Sequence, residues 1–425
     1  MIRALLMIAA LCAPALATAQ MTAIVHARAM PVTSLPVDDA TIVIADGRIL
    51  SITAHGAPPP GARVIDAAGH IVTPGLVGAA SQLGLTEVLA ATDTTDQSVS
   101  SGPLGAAFDV QYALNANSAL LPVARADGLT RAMVFPGASA TVPFAGLGAL
   151  IRLEPAGDIL ERPRAAMFAM IGNGSQSRAG GSRAAQWGLL RNALTEARRF
   201  AASPRPAGPR DQLLDRPDIE ALVPVVMGTM TLVIVTDRES DIRQAIRLAG
   251  DEKLRVVILG GAEAWRAAPA LAAAHIPVIL DPEADLPQTF DALGARLDNA
   301  ALLAKAGVTI AFSVSGNGLY LSYGAGIDMR EGAGIAVANG LPYAASIAAI
   351  TAGPATIWGI DHAGTLAAGA DADIVIWEGD PLEPTSAPLT VLVAGVEVSL
   401  ATRQTALRDR YSPVHAETLM PPAYR

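Results

Sequence analysis

The segment 231–313 constrains the fold more than any other part of the chain. TLVIVT (231–236) is a short, continuously apolar run rich in β-branched residues. Ser240 then stands where it can cap a helix through Ile242, Ala245, Ile246 and Ala249, with Gly250 as its stop. RVVILG (255–260) is the next strand, followed by a helix over 264–274, a strand over 277–281, a helix over 288–306 and a strand over 308–313. Strands separated by helices of this length pair in parallel, because a parallel crossover needs a dozen or more residues. Residues 118–127 and 132–136 repeat the pattern as helix then strand. The predicted class is α/β, a (β/α)8 TIM-like barrel, since eight such units close at roughly 250 residues. A doubly wound open sheet is the alternative, but no glycine-rich phosphate loop follows a first strand to favour it.

The two ends of the chain have a different period. ATIVIA (40–45) meets a turn at Asp46-Gly47 and continues over 48–52, a hairpin pattern. Residues 63–66 form another short strand, and 373–378 and 389–394 are strands with Gly395 at a turn. These pieces predict one small composite β-sandwich. The expected division is a signal peptide at 1–19, the N-terminal sandwich part at 20–74, the barrel at 75–355, and the C-terminal sandwich part and tail at 356–425. The stretch 203–217 combines proline with charge and predicts an exposed loop, with a flap over the barrel mouth as the second reading.

Composition narrows the function classes. The chain is 51% hydrophobic and 16% charged with a net charge of −9, which excludes a disordered chain and disfavours a nucleic-acid partner. Arg3, the apolar run 5–13, Pro14 and Ala17-Thr18-Ala19 follow the order of a secretory signal, too short to span a membrane. The expected location is therefore the periplasm. Cys12 is the only cysteine and lies inside that signal, so the mature chain would carry no disulfide and no thiolate ligand. A lipid anchor at Cys12 is disfavoured by Leu11 before it. Residues 332–360 carry no charge but hold Pro342, Pro354 and several glycines, which predicts packed helix and loop instead of a membrane span.

Two long motifs bracket the barrel. ATIVIADGRILSI with GARVIDAAGHIVTPGLV (40–52 and 61–77) resembles the opening of the amidohydrolase superfamily, and in particular its imidazolonepropionase-like exported group. GPATIWGIDHAGTLAAGADADIVIWEGDPL (353–382) resembles that family's ending, with weaker similarity at RADGLTRAMVFPG (125–137) and over an uncharged loop at 138–149. The resemblance implies a barrel inserted into a sandwich built from both chain ends. It also implies histidines and carboxylates at the C-terminal ends of the barrel strands, holding one or two metals that activate water.

This chain departs from that pattern. Its six histidines are His26, His55, His70, His275, His362 and His415, and only His275 lies between Pro74 and Gly353. By the resemblance, the His-x-His places after the first barrel strand hold Ala80 and Gln82. A strand-five place falls at Val235 or Asp237, a strand-six place at Gly260, and the final acid near Ser315. His275 precedes its strand, on the face away from the mouth. The sequence therefore predicts no metal and no cofactor, and a mouth lined by Ser81, Gln82, Glu87, Asp237, Ser313 and Ser315. A Ser-His-Asp triad lacks its histidine. Lys253 and Lys305 fall at solvent-facing places. A Glu87–Asp237 acid pair is weaker than the plain reading of polar residues lining a cavity. Two functions stay open: a pseudo-hydrolase binding a small amide- or peptide-like ligand, and a hydrolase of non-peptide carbon–nitrogen bonds with an atypical site.

The expected outcome for the N-terminus is loss of about nineteen residues, leaving Gln20 first. Mass spectrometry of the protein expressed with its leader checks this; retention of a lipidated Cys12 would overturn it.

Overall fold

The computed structural model describes residues 21–88, 91–140, 143–203, 214–287, 289–314 and 319–411. The expected signal peptide, Ser315, His415 and most of the 203–217 loop lie outside the described residues. Five strands open the chain: β1 Thr22–Ala29, β2 Val37–Ala45, β3 Arg48–Ala54, β4 Arg63–Asp66 and β5 Ile71–Pro74. Eight follow in the middle: β6 Leu76–Ser81, β7 Leu129–Val134, β8 Phe144–Arg152, β9 Leu160–Met170, β10 Thr231–Thr236, β11 Val256–Gly260, β12 Val278–Leu280 and β13 Ile310–Phe312. Three close it: β14 Ile374–Trp377, β15 Pro388–Val393 and β16 Val396–Glu397.

The middle strands form one sheet in the order β13-β12-β11-β10-β9-β8-β7-β6. β13 lies against β6 and helix Ala352–Trp358 packs on both, so the sheet is a nearly closed barrel. β10 is buried along most of its length, as its unbroken β-branched run requires. The helix after it, Glu239–Glu252, buries Asp241, Ile242, Ala245 and Leu248 at helical spacing. Its ends differ from the sequence expectation. Arg238 is the N-cap residue, and the Glu263 carboxylate accepts from the Glu239 N–H at 3.0 Å, so Ser240 is not needed as a cap. Lys253, in the left-handed region, ends the helix instead of Gly250.

Two larger differences concern length and direction. The third barrel strand, β8, runs antiparallel to both neighbours, so a β-hairpin replaces one β/α crossover. Residues 144–149 thus belong to a strand and not to the uncharged loop read from sequence. The helix expected over 288–306 is reduced to Asn299–Lys305. Gly294 breaks it: its N–H donates to Glu263 at 2.9 Å, and the Thr289 side chain turns the chain by accepting from the Asp291 N–H. The uncharged 332–360 stretch falls in the helices Ile327–Ala338, Tyr343–Ala349 and Ala352–Trp358. Among the described residues no helix is long and apolar enough to cross a membrane.

Both chain ends enter a second sheet, ordered β16-β15-β14-β5-β1-β2-β3, with β4 also on β1. β14 pairs antiparallel with β5, Ile374 opposite Pro74 and Ile376 opposite Val72. β1 changes neighbour along its length, pairing β4 through Thr22–Val25 and β5 through Arg28 and Ala29. The change occurs around His26, which has φ 52° at an irregularity in the β1–β2 ladder and bonds Asp66 at 3.0 Å. Bulges of this kind bend a strand so that one sheet can wrap a core. The enclosed core includes Ile24, Ile42, Val72, Ile374 and Leu392.

An ionic group joins the two sheets. Arg131, buried on β7, binds Glu161 at 3.0 Å through Nε, and Asp371 and Asp373 through its two terminal nitrogens. Arg152 reaches Asp373 at 2.7 Å, and the same carboxylate accepts from the Ala394 N–H at 2.7 Å. Burial alone would lower the Arg131 pKa, but Asp373, Glu161 and Asp371 outweigh it and raise it above its ordinary value. Replacing one partner leaves a buried charge uncompensated, which costs more than the intact pair contributes. Asp373→Ala should therefore cost about 3–5 kcal/mol of unfolding free energy, checked by urea denaturation.

Candidate functional site

A cavity of ≈ 420 Å³ opens at the C-terminal ends of the barrel strands. The two-residue period of the strands places its walls. Met133 and Phe135, Val233 and Val235, Val257 and Leu259, Ile279, and Ala311 follow one another into the barrel interior. Continuing the alternation by one step brings Asp237, Asp281 and Ser313 to the mouth, where all three line the cavity. Phe135 stacks on Phe168 at 5.3 Å between centroids, Phe168 lies 6.5 Å from Trp358, and Trp358 Nε1 donates to the Ala79 carbonyl at 2.9 Å. These rings fill the barrel beneath the cavity.

Of the sequence-predicted residues, Gln82, Asp237 and Ser313 come together on the cavity wall, with Ala80 and Gly260 beside them. Ser81 does not. It is fully buried and its Oγ donates to the Met133 carbonyl at 3.2 Å, because the residue between two inward-facing positions must face outward. Glu87 does not line the cavity either. Its carboxylate accepts from Asn115 Nδ2 and the Ala119 N–H, each at 3.1 Å, so it organises the loop after the first barrel strand. A Glu87–Asp237 pair is thereby not assembled at the cavity. Asp281 was not among the sequence candidates. Its signal was available: an acid directly after the VIL strand, two residues beyond inward-facing Ile279.

Asp237 is a half-buried acid on the wall. Its Oδ1 accepts from the Ala262 N–H at 3.2 Å. Burial raises its pKa above the ordinary carboxylate value, against that hydrogen bond, and Asp291 and Glu263 push it further upward. No arginine, lysine or histidine among the described residues lines the cavity. His275 is exposed on the turn before β12, at the opposite end of the barrel, while His26 and His55 pair with Asp66 and Asp39 in the other sheet.

Comparison with known proteins agrees with this architecture. Residues 244–402 match the Amidohydrolase family. The crystal structure of an amidohydrolase from Thermotoga maritima superposes with a TM-score of 0.79 at 23% identity, over 89% of this chain and 99% of that one. N-isopropylammelide isopropylaminohydrolase from Burkholderia multivorans gives a TM-score of 0.52 at 17% identity, over 89% and 98% of the two chains. Amidohydrolase tasK of Hapsidospora irregularis is 46% identical over 57 residues, which is 13% of this chain and only 6% of that protein. What the two solved structures share with this chain is the fold.

Whether the residues at this mouth fit the metal implied by such a barrel is decided by their geometry. Gly260 has φ 103°, and any Cβ there would lie 2.6 Å from Asp237 Oδ1 and 3.2 Å from the Thr236 carbonyl oxygen. A side chain at 260 thus collides with the carboxylate that occupies this corner. Ala80 has no donor atom, and among the described residues no three His, Cys, Asp or Glu side chains cluster closely enough to hold one ion. The described donor set does not fit the group.

Gly260→Ala should lower stability by about 2–4 kcal/mol, from the backbone conformation and the collision together. In an Asp237→Ala background the collision with the carboxylate disappears, and the cost should fall to about 1–2 kcal/mol. Urea denaturation of the four proteins in this cycle checks both values.

Proposed function

We propose that the protein is an exported pseudo-hydrolase: an amidohydrolase-type barrel that binds a small amide- or peptide-like ligand at its mouth without metal-activated hydrolysis. The observation that carries the reading is the contact at position 260, where the Asp237 carboxylate fills the space a ligating side chain would need. With Ala80 and Gln82 at the His-x-His places, nothing described at the mouth would depress the pKa of a bound water toward neutrality. The cavity remains, with an apolar wall and a few polar groups, which is the usual make-up of a small-molecule site. Export rests on the order of charge, apolar run and small residues in 1–19, and periplasmic location follows from it.

One observation favours a second reading. Asp237 is a half-buried carboxylate with a raised pKa on the same wall as Ser313, and a proton acceptor so tuned suits general-base chemistry on a carbon–nitrogen bond. Two neighbours carry hydrolase names, but at their identities they share the fold alone.

Elemental analysis of protein purified without chelator, with assays on lactam, amide and dipeptide substrates with and without zinc or manganese, separates the readings. The expected result is substoichiometric metal and no chelator-sensitive turnover. Stoichiometric metal with turnover abolished by chelator would falsify the proposal; metal-independent turnover lost in Asp237→Asn would establish the second reading. Introducing Ala80→His and Gln82→His together should leave metal binding weak, because position 260 stays closed.

A further inference from the structure

We infer that the mouth cavity selects a ligand with a cationic amine on an apolar body and no free carboxylate, of which an amino-acid amide is the simplest example. The inference rests on the ligand-binding reading above and names the class of ligand. Its first support is the distribution of charge. The Asp237 carboxylate lines the cavity, and no basic side chain among the described residues does. Asp237 has one hydrogen bond, from the Ala262 N–H, and the charged groups acting on it are the carboxylates of Asp291 and Glu263. A carboxylate in that position gains from an arriving cation and repels an arriving anion.

The second support is the remaining wall. Phe135, Met170, Val235, Leu259 and Leu321 make most of the surface apolar. A small hydrated metal ion would lose its water against these groups and meet few oxygen ligands, so the carboxylate does not select it. An ammonium on an aliphatic or aromatic body satisfies both parts of the wall at once. A ligand carboxylate would enter with no described cation to pair it, and a buried unpaired charge is costly. The cavity of ≈ 420 Å³ is in the range of small-molecule sites.

The test is calorimetric titration of the full chain, in the presence of EDTA, with four probes: leucinamide, leucine, N-acetylleucinamide and 4-methylpentanamide. Leucinamide should bind at least about tenfold more tightly than the other three, the size expected for one charge-assisted hydrogen bond. Asp237→Asn should reduce leucinamide to the level of 4-methylpentanamide while leaving the two neutral probes unchanged, with circular dichroism confirming that the variant is folded. Equal or tighter binding of the neutral amides would overturn the amine inference and leave the ligand-binding reading standing. Leucine binding as well as leucinamide would overturn the exclusion of carboxylates. Binding of none of the four would overturn both. The comparison of probes on the unaltered protein stands even if Asp237→Asn does not fold.

Discussion

The buried guanidinium of Arg131 is the interaction on which the assembly of the chain depends. It projects from β7 and gathers Glu161 of β9 with Asp371 and Asp373, the two acids that lead into β14. Arg152 of β8 completes the group. Three barrel strands and the return of the chain into the other sheet are therefore fixed at one point. A guanidinium removed from water is tolerated only where its donors are met, and here the carboxylates outweigh the cost of burial. A second link lies close in sequence. Buried Arg330 donates to the Pro381 and Ser386 carbonyls at 3.0 Å and lies 4.8 Å over Trp377, whose indole N–H reaches Thr73 at 2.8 Å. The Arg131 group lies toward the end of the barrel opposite the mouth, where polar groups serve stability.

At the mouth the same economy of space works in reverse. Gly260 is required because the backbone has φ 103° and because the Asp237 carboxylate lies against it. The two positions exclude one another's alternatives. A larger residue at 260 would displace Asp237, and removal of Asp237 would still leave a backbone conformation that favours glycine. What remains among the described residues is a largely apolar cavity with the Asp237 carboxylate on its wall, and that carboxylate directs the functional reading.

The site was partly legible from the chain alone. Gln82, Asp237 and Ser313 were reachable because each stands at or just past the end of an apolar strand, where barrel side chains meet solvent. Ser81 was misplaced by ignoring the alternation that its neighbours Ala80 and Gln82 define. Glu87 was misplaced because a carboxylate's use for loop hydrogen bonds cannot be distinguished from a cavity role by residue type. Asp281 was missed although Ile279 and Leu280 give its register. In the fold, the hairpin β8–β9 was hidden because FAGLGALI is apolar on both faces, so it carries no alternation to mark it as a strand. The short helix Asn299–Lys305 was overextended because Gly294 and the Glu263 contact that interrupts the run come from different elements.

The sequence by itself determined the class of the fold, the joining of the two chain ends in one sheet, and the scarcity of histidine between Pro74 and Gly353, where only His275 stands. These depend on local period and residue type, which the chain displays directly. Only the tertiary structure decided that the third barrel strand runs backwards, that Arg131 closes the base, and that the Asp237 carboxylate occupies the corner beside Gly260. Each of these depends on groups brought together from distant segments: 131 with 373, 147 with 167, and 237 with 260. Steric exclusion and charge pairing act through space, and no periodicity along the chain encodes the distance between two strand ends.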